Sequence, residues 1–495
     1  MSCRPSSRLT LALPKRAIAG GLLPLCLPFL LSGCLSLQDD RPIDVDVIGS
    51  QRQIAEPLRD SMPAAAKALL GATAQGLLAY DARGEIVDAL AESWIVEDGG
   101  KSYIFRLKRL NWPDGKPVKA EDVVRLLRER FRANPLSLAG LKPDVLAMTD
   151  RVIEIRIDTA LPTFIQLLAQ PQFGILGRQG GAGPYRPVRN GSVVALAPVK
   201  ADADAADPEP RDRRRLHVDR AALALVRFEA GRTDLVLGGR FQHLPLVPAT
   251  GLVMKDLRVD PVIGLFGLAF TGPSDFLSSA AVRDALSSVI DRAALAEAFG
   301  LPGWQTADRP LPAPLGLDRQ PSVPGWSSQT PADRLTAARG VIRRWTESNG
   351  EPPVLRVALP AGPGATRLFL RLALDLGQLG LRLDRVALDE PADLRLIDEV
   401  APFDSALWYL SRLDCAAKVS CDPATSALLA EARKAGNEAD QARLLSEAEE
   451  KTMAHAGFIP LGLPIRWALV NRRLTGFQLS PRGIHPLNRL VAVPN

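Results

Sequence analysis

The chain has 495 residues, of which 46% are hydrophobic and 23% are charged, so it is long enough for two or three globular lobes. Its 39 glycines and 41 prolines are too few for a disordered or low-complexity chain. The net charge of +6 is concentrated in residues 1–33, and the rest has 57 basic and 55 acidic side chains. This near-neutral body gives no electrostatic reason to expect a nucleic-acid partner.

The N-terminus has the three parts of an export signal. A basic segment precedes the apolar run Ala17 to Leu31, which is too short to span a bilayer permanently. The run ends in Leu31-Ser32-Gly33-Cys34, which resembles a bacterial lipobox. We therefore predict a signal peptide over 1–33, a lipid on Cys34 and a tether over 34–42, anchored at the periplasmic face of a membrane. The alternative is a soluble secreted protein, and the choice between inner and outer membrane stays open.

The first half of the mature chain shows alternating patterns of strands and helices. The predicted elements are a strand at 43–48, a helix at 63–78, a strand at 102–107, a helix from Ala120, a strand at 151–157, a helix at 218–231 and a strand at 234–237. The charged segment 201–215 is predicted to be a solvated loop, with an anion site as the alternative.

The second half opens on an apolar run at 262–270, which predicts a fully buried strand. The further predictions are a helix through Val282–Ile290, a next helix capped by Asp291, a proline-rich loop at 301–333, a strand at 355–359, a helix at 366–379, strands at 381–388 and 394–398, a helix from Asn437 to Gly457, and strands at 461–470 and 490–493. The strand–helix–strand order over 354–398 favours a parallel or mixed sheet.

Two cysteines remain after the signal and Cys34 are set aside. Cys415 and Cys421 form an even pair in an exported chain, which favours a disulfide over two reduced thiols. A zinc site is disfavoured because there is neither a second cysteine pair nor a histidine nearby.

The sequence contains no recognisable catalytic constellation. The four histidines are scattered, and there is neither a nucleophile elbow nor a phosphate-binding or dinucleotide-binding glycine pattern. We therefore expect a protein that is not an enzyme and that has no metal and no cofactor.

A series of short motifs follows one order along the chain. They are Gly76–Asp81, Leu90–Trp94, Tyr103–Leu107, Trp112–Val118, Ala120–Val123, Gly181–Tyr185, Arg232–Leu235, Val282–Leu286, Ile290–Arg292 and Phe458–Leu461. Together they resemble the family 5 extracytoplasmic solute-binding proteins, which are dipeptide, oligopeptide and nickel receptors of ABC importers.

This resemblance implies the architecture and the partners. It implies an α/β chain with the two-lobe periplasmic-binding-protein fold of the class II type, with mixed sheets and a hinge. Lobe I is expected over 43–264 and 455–495, and lobe II over 265–454. The expected partners are a small-molecule or peptide ligand, the ABC permease subunits and, through Cys34, the lipid bilayer, with the receptor as a monomer.

The resemblance also indicates ligand-binding residues. In peptide-binding members, a Gly-Trp segment precedes an aspartate that pairs with the peptide's α-ammonium, and an Asp-Pro follows. Here Leu407-Trp408 and Asp422-Pro423 match the two ends, and Asp414 lies between them. Asp414 is the expected ammonium partner, with a solvated loop carboxylate as the alternative.

The neighbours of Asp414 complete the predicted site. Trp408 and Tyr409 are expected to stack on a ligand, with a place in the hydrophobic core as the alternative. Arg412 is expected to pair with a carboxylate, with an exposed arginine as the alternative. The leading hypothesis is a lipid-anchored receptor for a peptide-like or other small polar solute. The competing hypotheses are an envelope chaperone or scaffold with the receptor fold and, less favoured, an exported hydrolase.

Overall fold

A computed structural model describes most of the mature chain. The described residues are 40–58, 62–134, 138, 141–161, 163–178, 180–200, 205–249 and 254–493. The predicted signal peptide, Cys34 and the first part of the tether lie outside them. No helix within the described ranges is long and apolar enough to cross a membrane.

The strands of the described chain are short, most of them two to seven residues long. In chain order they are β1 Ile43–Ile48, β2 Leu78–Tyr80, β3 Ile86–Asp88, β4 Ala91–Glu97, β5 Ser102–Leu107, β6 Asp144–Thr149, β7 Val152–Arg156, β8 Leu176–Gly177, β9 Gly180–Gly181, β10 Tyr185–Asn190, β11 Val193–Pro198, β12 Arg214–Asp219, β13 Leu235–Arg240, β14 Leu257–Val259, β15 Gly264–Phe270, β16 Leu355–Ala358, β17 Leu383–Val386, β18 Leu394–Val400, β19 Phe458–Gly462, β20 Arg466–Val470, β21 Leu474–Thr475 and β22 Val491–Ala492.

The described strands form two large mixed sheets, one four-stranded antiparallel sheet and the two-stranded pairs β2-β3, β8-β9 and β21-β22. The seven-stranded sheet has the order β10-β11-β12-β1-β13-β20-β14, and the five-stranded sheet has the order β17-β16-β18-β15-β19. In the first, β1 is parallel to β12 and β13, whereas β20 is antiparallel to β13 and β14. A four-stranded antiparallel sheet has the order β4-β5-β7-β6.

The α-helices alternate with the strands along the chain. They are α1 Gln51–Ala55, α2 Ala64–Thr73, α3 Ala120–Ala133, α4 Phe164–Leu168, α5 Ala221–Glu229, α6 Leu246–Ala249, α7 Asp275–Ser278, α8 Ala280–Ser288, α9 Arg292–Phe299, α10 Pro331–Asn349, α11 Pro363–Gly377, α12 Ala406–Arg412, α13 Pro423–Ala432 and α14 Glu438–His455.

Local signals fix several of these boundaries. The carboxylate of Asp291 accepts a hydrogen bond from the Ala294 amide at the start of α9, and Asn437 accepts one from the Asp440 amide at the start of α14. All seven residues of β15 are buried, as the apolar run predicts. Such caps satisfy amide groups that have no partner within the helix, so the sequence marks these starts directly.

The helix predicted over 63–78 is shorter in the structure. It ends at Thr73 because a glycine-rich segment packs directly against its last turn: the Gly183 amide donates to the Thr73 carbonyl over 3.1 Å. A Cβ atom on Gly181 would lie 2.4 Å from the same carbonyl oxygen. Only glycine permits this approach, which stops the helix and directs the chain into β2.

The prediction of a solvated loop over 201–215 is wrong at its C-terminal end. Arg214 begins β12 and is buried. Its guanidinium donates to the carbonyls of Leu487 and Leu490 over 3.0 and 2.7 Å, so the charge is bonded to backbone of the C-terminal segment. The first residues of the segment, 201–204, lie outside the described chain.

Two adjacent connections join the large sheets. The chain passes from β14 in the seven-stranded sheet to β15 in the five-stranded sheet. It returns between β19 and β20, so the single strand predicted over 461–470 is divided at 463–465. The Asp260 amide donates to the Arg466 carbonyl over 2.9 Å and holds the two connections together.

Candidate functional site

A cavity of 2310 Å³ is lined by parts of both large sheets. Its walls include α2, the C-terminal end of β13, the start of β20, the strand β18 and the helix α12. Pockets for drug-sized ligands usually measure about 300–1,000 Å³, so this cavity has room for a ligand of several residues or for a smaller one with water.

The described residues that line the cavity carry more positive than negative charge. Its six acidic side chains are Asp81, Asp88, Asp260, Asp398, Glu399 and Asp414. Its thirteen basic side chains are Lys67, Lys108, Arg109, Arg186, Lys200, Arg240, Arg395, Arg412, Lys418, Arg433, Arg466, Arg482 and Arg489.

One ion pair bridges the two large sheets at the cavity wall. Arg466 of β20 donates to Asp398 of β18, from Nη1 to the carboxylate Oδ1 over 2.7 Å and from Nη2 to the backbone carbonyl over 2.9 Å. Arg240, the register partner of Arg466 on β13, has its Nη1 3.7 Å from Asp398 Oδ2. The Asp398 carboxylate is thus shared by two arginines of the other sheet.

Lys67 of α2 faces the same part of the cavity. It is the only charged residue in a helix that otherwise contains alanine, leucine, glycine and threonine. Burial, and then the charges of Arg240 and Arg466, lower the pKa of Lys67 to about 8. The Lys67 ammonium therefore lies in positive surroundings.

The helix α12 divides the predicted aromatic residues between cavity and core. Trp408 and Arg412, which are four residues apart on one helix face, both line the cavity. Tyr409 is fully buried and packs its ring edge-on against Trp408, with ring centres 4.9 Å apart. Tyr409 therefore supports Trp408 from the core and does not reach the cavity, because the helix turns its side chain away.

Arg412 already has a partner within the protein. Its guanidinium forms an ion pair with Glu399 of β18, which also lines the cavity. The pair holds α12 to β18, so the predicted role of Arg412 toward a ligand carboxylate remains a prediction.

Asp414 lies in the loop after α12 and is mostly buried. Its Oδ1 accepts hydrogen bonds from the Cys415 amide over 2.7 Å and from the Ser426 hydroxyl. Both hydrogen bonds found in the described chain go to Oδ1, and Asp414 lines the cavity. Asp422, by contrast, caps α13 by accepting from the Ala424 amide over 2.9 Å.

A disulfide closes the loop beside the cavity. The structure joins Cys415 to Cys421, with Cα atoms 5.2 Å apart. The Ser420 amide donates to the Phe270 carbonyl over 2.7 Å and ties the loop to the end of β15. Four residues of the enclosed segment line the cavity: Ala416, Ala417, Lys418 and Val419.

Sequence reasoning missed the grouping of Lys67 with Arg240 and Arg466, the two arginines that share Asp398. Arg240 and Arg466 are far apart in the chain, and only the antiparallel register of β13 and β20 brings them together. Lys67 did carry a signal in the sequence. A single lysine within an apolar helix needs either solvent or a partner for its charged ammonium, because burying an unpaired charge is costly. Among the described residues, no group of three or more His, Cys, Asp or Glu side chains is arranged to hold a metal ion.

Comparisons with known proteins agree with this architecture. The chain matches the model of the bacterial extracellular solute-binding proteins, family 5, over residues 85–384. It is 26% identical over 262 residues to the probable deoxycholate-binding periplasmic protein YgiS of Escherichia coli, covering 45% of this chain and 48% of that relative. It is 22% identical over 462 residues to the heme-binding protein A of Haemophilus influenzae, covering 81% and 83%. The chain thus spans about half of the first of these relatives.

Solved structures share the fold across nearly the whole chain. Haemophilus influenzae OppA in complex with the peptide RPPGFSPFR superposes with a TM-score of 0.77 at 15% identity, over 92% of this chain and all of the other. Burkholderia pseudomallei OppA superposes with a TM-score of 0.76 at 18% identity, over 92% and 99%. These comparisons confirm the predicted α/β two-lobe periplasmic-binding-protein fold with mixed sheets. The family model covers more than half of the chain, so this protein belongs to the family 5 extracellular solute-binding proteins, which are binding proteins and not enzymes.

Proposed function

We propose that this protein is the solute receptor of an ABC importer and that it captures a peptide-like or other small polar solute between two lobes. The observation that carries the proposal is the 2310 Å³ cavity whose walls come from both large sheets. A ligand seated there touches strands of either sheet, so its binding favours closure of one lobe on the other. The receptor then presents the solute to a permease as a monomer.

The lobe limits belong to this proposal. We propose the two lobes as predicted, 43–264 with 455–495 and 265–454, except that the return to lobe I comes later in the chain, and we propose the hinge at the paired connections. In sheet membership, β19 pairs with β15 in the five-stranded sheet and β20 with β13 in the seven-stranded one. The return to lobe I is therefore expected between Gly462 and Arg466.

Relatives differ in the ligands that their names state. Besides deoxycholate and heme, similar proteins are described as binding murein peptide, nickel and oligopeptides. Peptide-like solutes are supported here by Asp414, whose Oδ2 is left for a ligand ammonium, and by Trp408 as an apolar wall. Arg412 is held by Glu399 and contributes by fixing α12.

Native mass spectrometry of freshly purified full-length protein tests the receptor function. We expect a co-purified small molecule that dissociates on denaturation. A stoichiometric protein partner without a small molecule would instead support a chaperone or scaffold, and turnover of an ester or peptide panel would support a hydrolase.

The ammonium site has its own matched pair of variants. Asp414→Asn should weaken binding of the co-purified solute by two to three decades, because an ammonium would be buried without its counter-charge, at a cost of about 3–5 kcal/mol. Asp422→Asn removes the same charge from a helix cap and should change affinity little. Equal, small effects in calorimetry would remove Asp414 from the site.

We also propose that a lipid on Cys34 holds the receptor at the periplasmic face of the membrane. Cys34→Ser should release the protein from membranes and abolish lipid labelling, while circular dichroism of the released protein stays unchanged. A Cys34→Ser variant that still sediments with membranes at high salt would contradict the anchor.

A further inference from the structure

Two arginines share one carboxylate at the cavity wall, and a lysine lies within the influence of both arginines. We call Lys67, Arg240 and Arg466 the cation cluster, and the carboxylate is that of Asp398. The neighbouring Glu399 also acts on Lys67 and Arg240, but its negative charge is offset by Arg412, with which it forms an ion pair. The cluster and Asp398 together carry an excess of two positive charges.

The three cations differ in how well they are bonded. Arg466 donates twice to Asp398 and once to its own neighbour's carbonyl. Arg240 lies at 3.7 Å from Asp398 Oδ2, beyond hydrogen-bond distance, and that buried oxygen has no hydrogen-bond partner among the described residues. For the Lys67 ammonium, the described chain offers no hydrogen bond or ion pair within bonding distance.

Such an arrangement is unfavourable without a further anion. Like charges that share a partly buried site raise each other's energy, and removing a charge from water adds to that cost. The pKa of Lys67 reflects the same cost. Burial, and then the charges of Arg240 and Arg466, lower it to about 8, because they disfavour the protonated ammonium. An anionic group placed among the three side chains would satisfy donors that the protein itself leaves unsatisfied.

We propose that the solute bound by this receptor carries an acidic group, and that Lys67, Arg240 and Arg466 hold it and thereby select acidic solutes over neutral ones of the same shape. This inference rests on the proposed receptor function and names the class of its solute. The shared chemistry is an anionic oxygen group, which a carboxylate or a phosphate can supply.

Two tripeptides of equal shape test the selection. Calorimetry would compare Ala-Glu-Ala, which has two carboxylates, with the C-terminal amide of Ala-Gln-Ala, which has none. We expect the wild-type protein to bind the acidic peptide at least about tenfold more tightly, in line with the strength of charge-assisted hydrogen bonds. In Lys67→Met this preference should fall at least about fivefold.

A second lysine provides the matched control. Lys119 is outside the cavity lining, and its half-exposed ammonium lies 3.7 Å from Asp150. Lys119→Met removes the same charge from the chain and should leave the preference for the acidic peptide unchanged. An equal loss in both variants would mean that net charge acts at long range, and it would overturn the assignment to the cation cluster.

Failure of the inference and failure of the peptide-receptor function give different results. If the two peptides bind equally well, the receptor function stands and the acidic selection is overturned. If neither binds, the peptide function fails, and glutarate and inorganic phosphate then decide the inference. Saturable binding of either anion that is lost in Lys67→Met supports it and identifies the preferred anion, whereas no such binding overturns it.

The pH dependence gives a readout that a purely structural lysine would not move. Glutarate binding should weaken between about pH 7 and 9.5 as Lys67 loses its proton, and this dependence should vanish in Lys67→Met. Arg240, Arg466 and Glu399 are the charged groups that act on Lys67, and the Lys67→Met variant, which keeps all three, is the control for them. Affinity that is constant across the window in the wild type would contradict the role of Lys67.

Discussion

Two charged regions of this molecule differ in how their charges are matched. The first runs along β1, β12 and β13 in the seven-stranded sheet, and we call it the sheet network. It consists of four carboxylates and four arginines: Asp44, Asp46, Asp219 and Asp234 with Arg41, Arg215, Arg227 and Arg473. The second is the cation cluster, where Arg240 and Arg466 share the carboxylate of Asp398 and Lys67 adds a third positive charge beside the arginines.

Within the sheet network, the carboxylate of Asp234 has two arginine partners of its own. Asp234 is fully buried, and its carboxylate accepts from Arg41 over 2.6 and 3.0 Å, from Arg473 over 3.1 Å and from the Asp44 amide over 2.9 Å. Each bond joins segments that are far apart in sequence, so the network holds the sheet together. The cation cluster, in contrast, lines the cavity with more positive charge than Asp398 neutralises. Charges that are paired within the protein stabilise the fold, whereas unpaired charges beside the cavity are available to bind a ligand of opposite charge.

The largest expected loss of stability comes from removing a charge of the sheet network. Asp234→Asn keeps the shape but leaves Arg41 and Arg473 without this counter-charge, which should lower the free energy of unfolding by about 3–5 kcal/mol. Urea denaturation followed by circular dichroism measures it. Asp122→Asn, on a surface pair of α3, should stay within about 0.5 kcal/mol. A loss below about 1 kcal/mol in Asp234→Asn would show that the network does not hold the sheet.

The disulfide beside the cavity sharpens the comparison, because it stabilises a loop without any charge. A loop of this length restricts the unfolded chain modestly, so Cys415→Ser with Cys421→Ser should cost about 2 kcal/mol in thermal unfolding. Peptide mapping without reductant should find the two cysteines joined in protein taken from the periplasm. Two freely alkylated thiols would show that the bond does not form there.

A third variant tests Asp46, a carboxylate of the sheet network whose charged form is disfavoured by its surroundings. Burial, and then the nearby charge of Asp219, raise the pKa of Asp46 to about 7. The folded chain then holds this proton more tightly than the unfolded chain, so its stabilising contribution is complete below about pH 4 and is lost as the pH rises to about 7. Asp46→Asn should therefore raise the free energy of unfolding at about pH 8 by roughly 1–2 kcal/mol. Identical pH profiles of the variant and the wild type would contradict this shift.

The smallest expected change in stability comes from removing a charge of the cation cluster. Lys67→Met removes a cation that has no partner among the described side chains, so it should leave the stability of the ligand-free protein unchanged or raise it by less than about 1 kcal/mol. Because the folded-state pKa of Lys67 lies below its unfolded value, the wild type should gain stability between about pH 8 and 10 and the variant should not. A clear destabilisation by Lys67→Met would make the lysine structural.

Local patterns account for much of what the sequence predicted. A few neighbouring residues are enough to predict each of these features: the strand β1 from its alternation, the strand β15 from its apolar run, and two helix starts from the caps Asp291 and Asn437. These signals depend on hydrophobic periodicity and on amide groups at helix starts, which neighbouring residues decide. The order of the motifs added the family and the two-lobe fold.

The cavity was only half visible in the sequence. Trp408 and Asp414 were found because they lie close to the Asp-Pro pair in the chain. Arg240 and Arg466 were missed because strand register decides their meeting, and register follows from the packing of the whole sheet. For Tyr409 the sequence left both the cavity and the core open for a simpler reason: adjacent residues of a short helix face different directions, and the sequence does not say which one faces inward.

The position of β20 in the seven-stranded sheet has a consequence for the order of synthesis. This strand lies between β13 and β14, yet it is made long after both of them, near the end of the chain. Until Arg466–Val470 emerges, the edges of both neighbours remain unpaired and open to other chains. A nascent chain truncated before this strand should therefore aggregate or recruit chaperones, because only the addition of β20 pairs the free edges of β13 and β14.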